Sequence, residues 1–306
     1  MTSSPRYADP VDLSKFAWLS IAAALVTITL KSWAAWVTGS VGLFSDALES
    51  VVNLVAAIIA LIALKVSIRP ADDNHQFGHS KAEYFSAAVE GTMIFVAAIF
   101  IIYTGVDRIF HPRMPERLGI GLVVSMLASV VNGVVGAVLI SQGRQRRSAT
   151  LSADGRHLMT DVVTSVAVLI GVGLVALTGQ QVLDPVVAIL AGINITWTGF
   201  RLVRHSVEGL MDIALPADVE ARLQTVLDRY RAGGEVDFHA VRNRESGNRR
   251  FMEMHMLVPD EWSVQRAHDL AEDVIDALVA VEPDLRVSVH LEPKGDPKSY
   301  EDIDDV

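Results

Sequence analysis

The sequence predicts an all-α membrane domain of six transmembrane helices over 1–210, followed by a small α+β domain in the order α-β-β-α-β over 211–306. Three observations predict it. Six long apolar stretches fill the first two thirds of the chain, each near the roughly twenty residues that a helix needs to cross a bilayer. Only 20% of the 306 residues are charged against 51% hydrophobic, too little charge to cover a soluble protein of this length. The charge is also uneven: 22 acidic and 11 basic residues follow position 210, against 14 and 15 before it, so an acidic domain follows a nearly neutral apolar body. That balance leaves no basic face for nucleic acid. Cysteine is absent, which excludes disulfides and thiolate metal sites.

The expected spans run over 17–38, 41–64, 86–106, 119–141, 159–178 and 185–203. The first reads as a span rather than a cleaved signal, because Pro10, Asp12 and Lys15 precede a full-length stretch with no small-residue cleavage pattern. Orientation follows from Lys and Arg in the connections. Eleven lie on one side: Arg6, Lys15, Lys65, Arg69, Lys81, Arg144, Arg146, Arg147, Arg156, Arg201 and Arg204. The other side has Arg108, Arg113 and Arg117. Both termini, and the acidic domain with them, are therefore expected in the cytoplasm.

Within that domain, ADVEARLQTVLDRYRAG has the apolar spacing of an amphipathic helix. VDFHAVRNR and RRFMEMHMLVP alternate as strands around the polar turn ESGN. SVQRAHDLAEDVIDALVAV reads as a second helix with Ser263 as its N-cap, and LRVSVHLEP as a third strand. A domain this small gains stability by pairing with a second copy.

Ionisable residues inside the spans are the first functional signal, since such groups are expensive in a bilayer and mark polar cavities. Glu49 and Asn53 lie one turn apart in the second span, and His157 and Asp161 open the fifth with the same spacing. Either these are two polar pairs that glue helices together, or they form one site of four ligands suited to zinc or another first-row divalent ion. Asp46 is a further candidate there, and Lys31, Glu90 and Asn132 are also polar within spans. In the loop RPADDNHQFGHSKAE, Asp72 (or Asp73), His75 and His79 have ligand spacing. In the acidic domain, His239, His255 and His290 fall on separate strands, Glu292 follows His290 by two, and His268 opens the second helix. The strand histidines with Glu292 suggest a second metal-binding cluster; His268 reads equally well as a core residue.

These strings together resemble the cation diffusion facilitators, and among them the bacterial ferrous-iron/zinc efflux proteins that act as homodimeric proton antiporters. The likeness rests on GSVGLFSDALESVVN, the loop string, HLMTD, RFMEMH and VHLEP, and covers nearly the whole chain. It implies a transport site at Glu49, Asn53, His157 and Asp161, a loop site at Asp72, His75 and His79, and cytoplasmic sites at His239, His255, His268, His290 and Glu292. It also implies a dimer-stabilising pair of Lys81 with Asp212, a bacterial inner membrane, and Zn2+, Fe2+, Mn2+ or Co2+ as substrate, exchanged for protons by alternating access. The chain departs from the family at two positions: iron/zinc relatives carry Asp at both second-span sites, where this chain has Glu49 and Asn53. No HExxH or phosphate-binding motif points to a protease or to ATP coupling. A membrane-anchored metal sensor without transport is the rival reading, and it gives no reason for ligands inside two spans.

Overall fold

The computed structural model describes residues 11–38, 41–111, 118–180 and 182–305. Side chains at 38, 41–46, 48, 49 and 118–122, and at scattered positions later in the chain, lie outside the described set. The chain divides into two units, Val11–Glu208 and Gly209–Val306.

The first unit is built from α1 (Ser14–Thr38), α2 (Val41–Ser67), α3 (Ala82–Phe110), α4 (Leu118–Gln145), α5 (Ala149–Thr178) and α6 (Leu183–Leu210). Six spans are expected from the sequence. Six helices have the length, but among the described residues five, all except α5, are also apolar enough to cross a membrane. The correction has a physical cause: Asp154, Arg156, His157 and Asp161 crowd the first half of α5, and several of its apolar positions lie outside the described set. α5 also begins ten residues before the expected span, because Ser148 caps it by accepting the Leu151 N–H. His157 and Asp161 therefore stand well inside the helix rather than at its opening.

α1 packs on α2 and α4, α4 on α5, and α3 on α5 and α2. Ala17, Ile21, Ala57, Leu61, Leu139, Leu151 and Leu158 fill the space among α1, α2, α4 and α5. Ala87, Ile94, Ala98, Ile195 and Leu202 fill that between α3 and α6. Two contacts are backbone to backbone. A Cβ on Gly155 of α5 would stand 2.8 Å from the Gly136 carbonyl oxygen of α4, and one on Gly199 of α6 2.8 Å from the Phe95 nitrogen of α3. Small residues allow this approach where no hydrophobic drive brings helices together. The outer faces stay apolar: Ile62, Phe85, Phe100, Tyr103 and Leu190 are each more than half exposed. So wide an apolar surface is what a bilayer covers. This is a multi-pass membrane protein.

The second unit contains α7 (Ala217–Arg231), β1 (Asp237–Ser246), β2 (Arg249–Val258), α8 (Val264–Val281) and β3 (Leu285–Pro293). The sheet order is β1-β2-β3, with β1 antiparallel to β2 at the Gly247 turn and β3 parallel to β2 after the α8 crossover. Ser263 caps α8, accepting the Arg266 N–H at 3.2 Å. Alternation sorts β2 into two faces. Met252, Met254 and Met256 pack on Leu223, Leu227, Val274 and Leu278 of the helices, leaving Glu253 and His255 on the opposite face. A 3-10 helix over Pro297–Asp305, not expected from the sequence, follows and touches β1.

Candidate metal centres

The interior of the helical unit brings α2, α4 and α5 together around one carboxylate. Asn53, His157 and Asp161 are 4%, 7% and 9% exposed. His157 Nε2 lies 2.7 Å from Asn53 Oδ1, and the Asn53 amide donates to Asp161 Oδ2. Since the amide oxygen only accepts, the imidazole donates from Nε2. Asn132 of α4 donates to the same Asp161 oxygen at 3.0 Å. The chain of bonds therefore runs from imidazole to amide to carboxylate, grouping nitrogen and oxygen ligand atoms at one place. Twelve residues separate Asp161 from the start of α5, about 18 Å at the helical rise, so the group stands well inside the bundle. Glu49 lies one turn before Asn53 on α2, and its side chain, like that of Asp46, is outside the described residues. The sequence marks Asn132 only as a polar residue within a span; the structure joins it to the ligand group.

The second group sits in the α2–α3 loop. Asp72 Oδ1 accepts the N–H groups of Asn74 (3.0 Å) and His75 (2.7 Å) and lies 3.2 Å from His75 Nδ1. Asp72 Oδ2 lies 3.3 Å from His79 Nε2. The His75 N–H holds the Asp72 carboxyl below the usual carboxylate range, aided by the other bonds from His75 and Asn74. Gly78, at φ 85°, allows the tight return, its N–H bonding the His75 carbonyl. Of the two aspartates the spacing allowed, Asp72 is the one that joins both histidines.

The third group lies on the open face of the sheet. Strand register aligns His239 with His255 and His255 with His290, a single row across three strands. Glu292, 7% exposed, reaches along this row. Its Oε2 is 2.7 Å from His239 Nε2, and its Oε1 is 3.2 Å from His255 Nδ1 and 3.6 Å from His290 Nε2. Nδ1 of His239 and of His255 are buried without a hydrogen-bond partner among the described residues. His255 Nδ1 thus stands near a carboxylate oxygen without making a hydrogen bond, an arrangement that fits a divalent cation between imidazoles and carboxylate. His290 is at the exposed edge of the row. His268 is exposed on α8 and is not part of the group formed by His239, His255 and Glu292. Tyr300 of the 3-10 helix lies over the His239 ring at 6.1 Å, a neighbour the sequence did not signal because that helix was not expected.

Comparison with known proteins agrees with this layout. Residues 17–211 match the model of the cation efflux transmembrane domain, and residues 215–294 that of the cation efflux protein cytoplasmic domain. An uncharacterized transporter of Synechocystis sp. is 46% identical over 95% of this chain and 93% of its own length. The cation-efflux pump FieF of Serratia proteamaculans is 31% identical over 94% of this chain and 95% of its own. Among solved structures, the metal-bound C-terminal domain of the CzcD transporter from Thermotoga maritima is 30% identical, covering 26% of this chain and 92% of that one, with a TM-score of 0.24.

Proposed function

The chain belongs to the cation efflux family, the cation diffusion facilitators, and on that premise we propose that it exports divalent transition-metal ions from the bacterial cytoplasm in exchange for protons. It is a secondary transporter, not an enzyme. One observation carries the reading: Asn53, His157 and Asp161 are buried together in the apolar bundle, with Asn132 behind them. With Glu49 they supply imidazole, amide and two carboxylates, a set that suits Zn2+, Fe2+, Mn2+ or Co2+. His157 and Asp161 bind metal only when deprotonated, so protons arriving from outside release the ion there. Proton loss to the cytoplasm restores the site.

α5 is taken as a sixth crossing on its length, its charged first half being covered by α2, α3 and α4, which pack on it; with the Lys and Arg distribution this puts both termini inside. The Asp72–His75–His79 group serves as a cytoplasmic capture site. The His239–His255–His290 row with Glu292 serves as a metal-sensing site of the C-terminal domain, with His268 available on α8 for an ion held against a second copy. The assembly is a homodimer working by alternating access, stabilised by Lys81 with Asp212. Asp212 also accepts a bond from Arg244 at 2.9 Å, within its own unit.

The test is zinc-driven proton movement in proteoliposomes. Asp161→Asn is expected to lower transport about tenfold or more. Unchanged flux would remove Asp161 from the site. Running the four metals through the native chain and Asn53→Asp reads selectivity; an identical ranking in both would show that the amide does not set it.

A further inference from the structure

Two carboxylates outside these ligand groups are sealed within the bundle: Glu90 of α3 is 0% exposed and Asp154 of α5 1%. Each receives one hydroxyl. Ser86 donates to Glu90 Oε1 at 3.4 Å, and Ser20 of α1 donates to Asp154 Oδ1 at 3.0 Å. The other oxygen of each, Glu90 Oε2 and Asp154 Oδ2, has no hydrogen-bond partner among the described residues. Ala153, the neighbour of Asp154, packs in one cluster with Ala87 and Ile94, which stand about one turn to either side of Glu90, so the two carboxylates flank the same α3–α5 contact.

Charged groups on the packed helices are placed elsewhere. Lys65 of α2 lies over the Trp18 ring, and Arg201 of α6 over the Trp197 ring. Lys31 is eleven residues beyond Ser20 on α1, about 16 Å along the helix. On α3, Glu83 bonds Ser148 and Ser67; on α5, His157 faces Asn53. A metal ion would need more ligands, and no third ionisable side chain joins the two among the described residues. A single proton suffices: it removes one of two like charges from a low-dielectric interior.

We propose that Glu90 and Asp154 hold one proton between them and form a proton-binding site separate from the metal ligands, relaying that proton between the cytoplasm and the transport site. The position suits a relay. His157 and Asp161 follow Asp154 by three and seven residues on one face of α5, about 5 and 10 Å along its axis. In the other direction Glu83, Ser67 and Ser148 continue the polar line to the start of α5. The proposal rests on the antiport reading.

The test uses the full chain in proteoliposomes with zinc as probe, and two readouts. Infrared difference spectra between H2O and D2O detect a protonated carboxyl; the band is expected in the native chain and absent from Glu90→Gln and Asp154→Asn. Both variants are expected to keep zinc–zinc exchange at equal pH within about twofold, while uptake driven by a pH gradient falls about fivefold or more. Retained exchange shows that the fold and metal ligands are intact. Glu90→Asp, which keeps a carboxyl, is expected to recover gradient coupling. A native chain without the band overturns the proposal whatever the variants do, and so does full gradient coupling in a variant that has lost it. A native chain that exchanges zinc without moving protons refutes antiport instead, a separate failure because the band is read without transport.

Discussion

Asn53 accepts from His157 and donates to Asp161, which no carboxylate at that position does without a proton. The departure from the two-aspartate pattern therefore has a structural counterpart: the amide links His157 and Asp161 while adding no charge. At the loop site the electrostatics run differently. The depressed Asp72 carboxyl accepts N–H bonds, so its contribution to loop order is present above its unfolded value and lost as pH falls through the lower folded one. The protection factor of the His75 amide, its exchange relative to an unstructured peptide at the same pH, is expected to hold down to about pH 4 and to fall below it, and Asp72→Asn is expected to remove that acid-side step. A native protection factor that declines steadily from neutral pH would contradict this. Spacing alone announced Asn53, His157, Asp161, His75 and His79. It could not announce Asp154, because the fifth span, drawn by hydropathy from 159, left that residue outside the membrane.

At the scale of elements, β2 shows how the fold makes a site. Its methionines bury against α7 and α8, so period-two alternation forces His255 to the other face, where register supplies His239 and His290. The strands and both helices were legible because each carries its own periodicity and, for α8, a cap. A cluster of the strand histidines with Glu292 was expected, but their alignment as one row was not, because register depends on pairings that a single strand's pattern does not contain. A bulge between His239 and Arg242, with Ala240 at φ 47°, then changes the β1 alignment beyond the site. The far end of β2 is fixed by Arg250, 2.8 Å from Glu282 just past α8, both side chains being under a tenth exposed. Arg250→Ala removes the shorter of two ion pairs from buried Glu282, which Arg222 also approaches at 3.6 Å, and is expected to destabilise the C-terminal unit by about 2 to 3 kcal/mol. Hydrogen exchange of β2 amides in the full chain measures it; a change below about 1 kcal/mol would mean water reaches Glu282 in the variant.

At the scale of the whole molecule, the proposed orientation rests on the distribution of Lys and Arg. The loop between α2 and α3 and the junction of α4 and α5 are rich in Lys and Arg, whereas the turn between α5 and α6 has none. Because the chain has no cysteine, single replacements report topology directly. Gln180→Cys is expected to react with a membrane-impermeant maleimide in intact cells, and Asn74→Cys only after lysis. The reverse pattern would invert the transporter. Hydropathy conveys the multi-pass body well, since it is a sum over many residues and tolerates local errors of several positions; the charge asymmetry is what the labelling tests.

The glycine contacts bear on how such a body moves. α4 and α5 touch backbone to backbone at Gly136 and Gly155, and α3 and α6 do so at Gly91 and Gly199. Surfaces meshed so closely resist sliding, so each pair behaves as one stiff beam. Rearrangement is then left to the seams between beams, where side chains rather than backbones meet. The α3–α5 seam holds Glu90 and Asp154, and the α2–α5 seam holds Asn53 against His157 and Asp161. The seams without these glycine contacts are thus the ones lined with carboxylates and with Asn53, His157 and Asp161, and any rearrangement of the bundle is expected there.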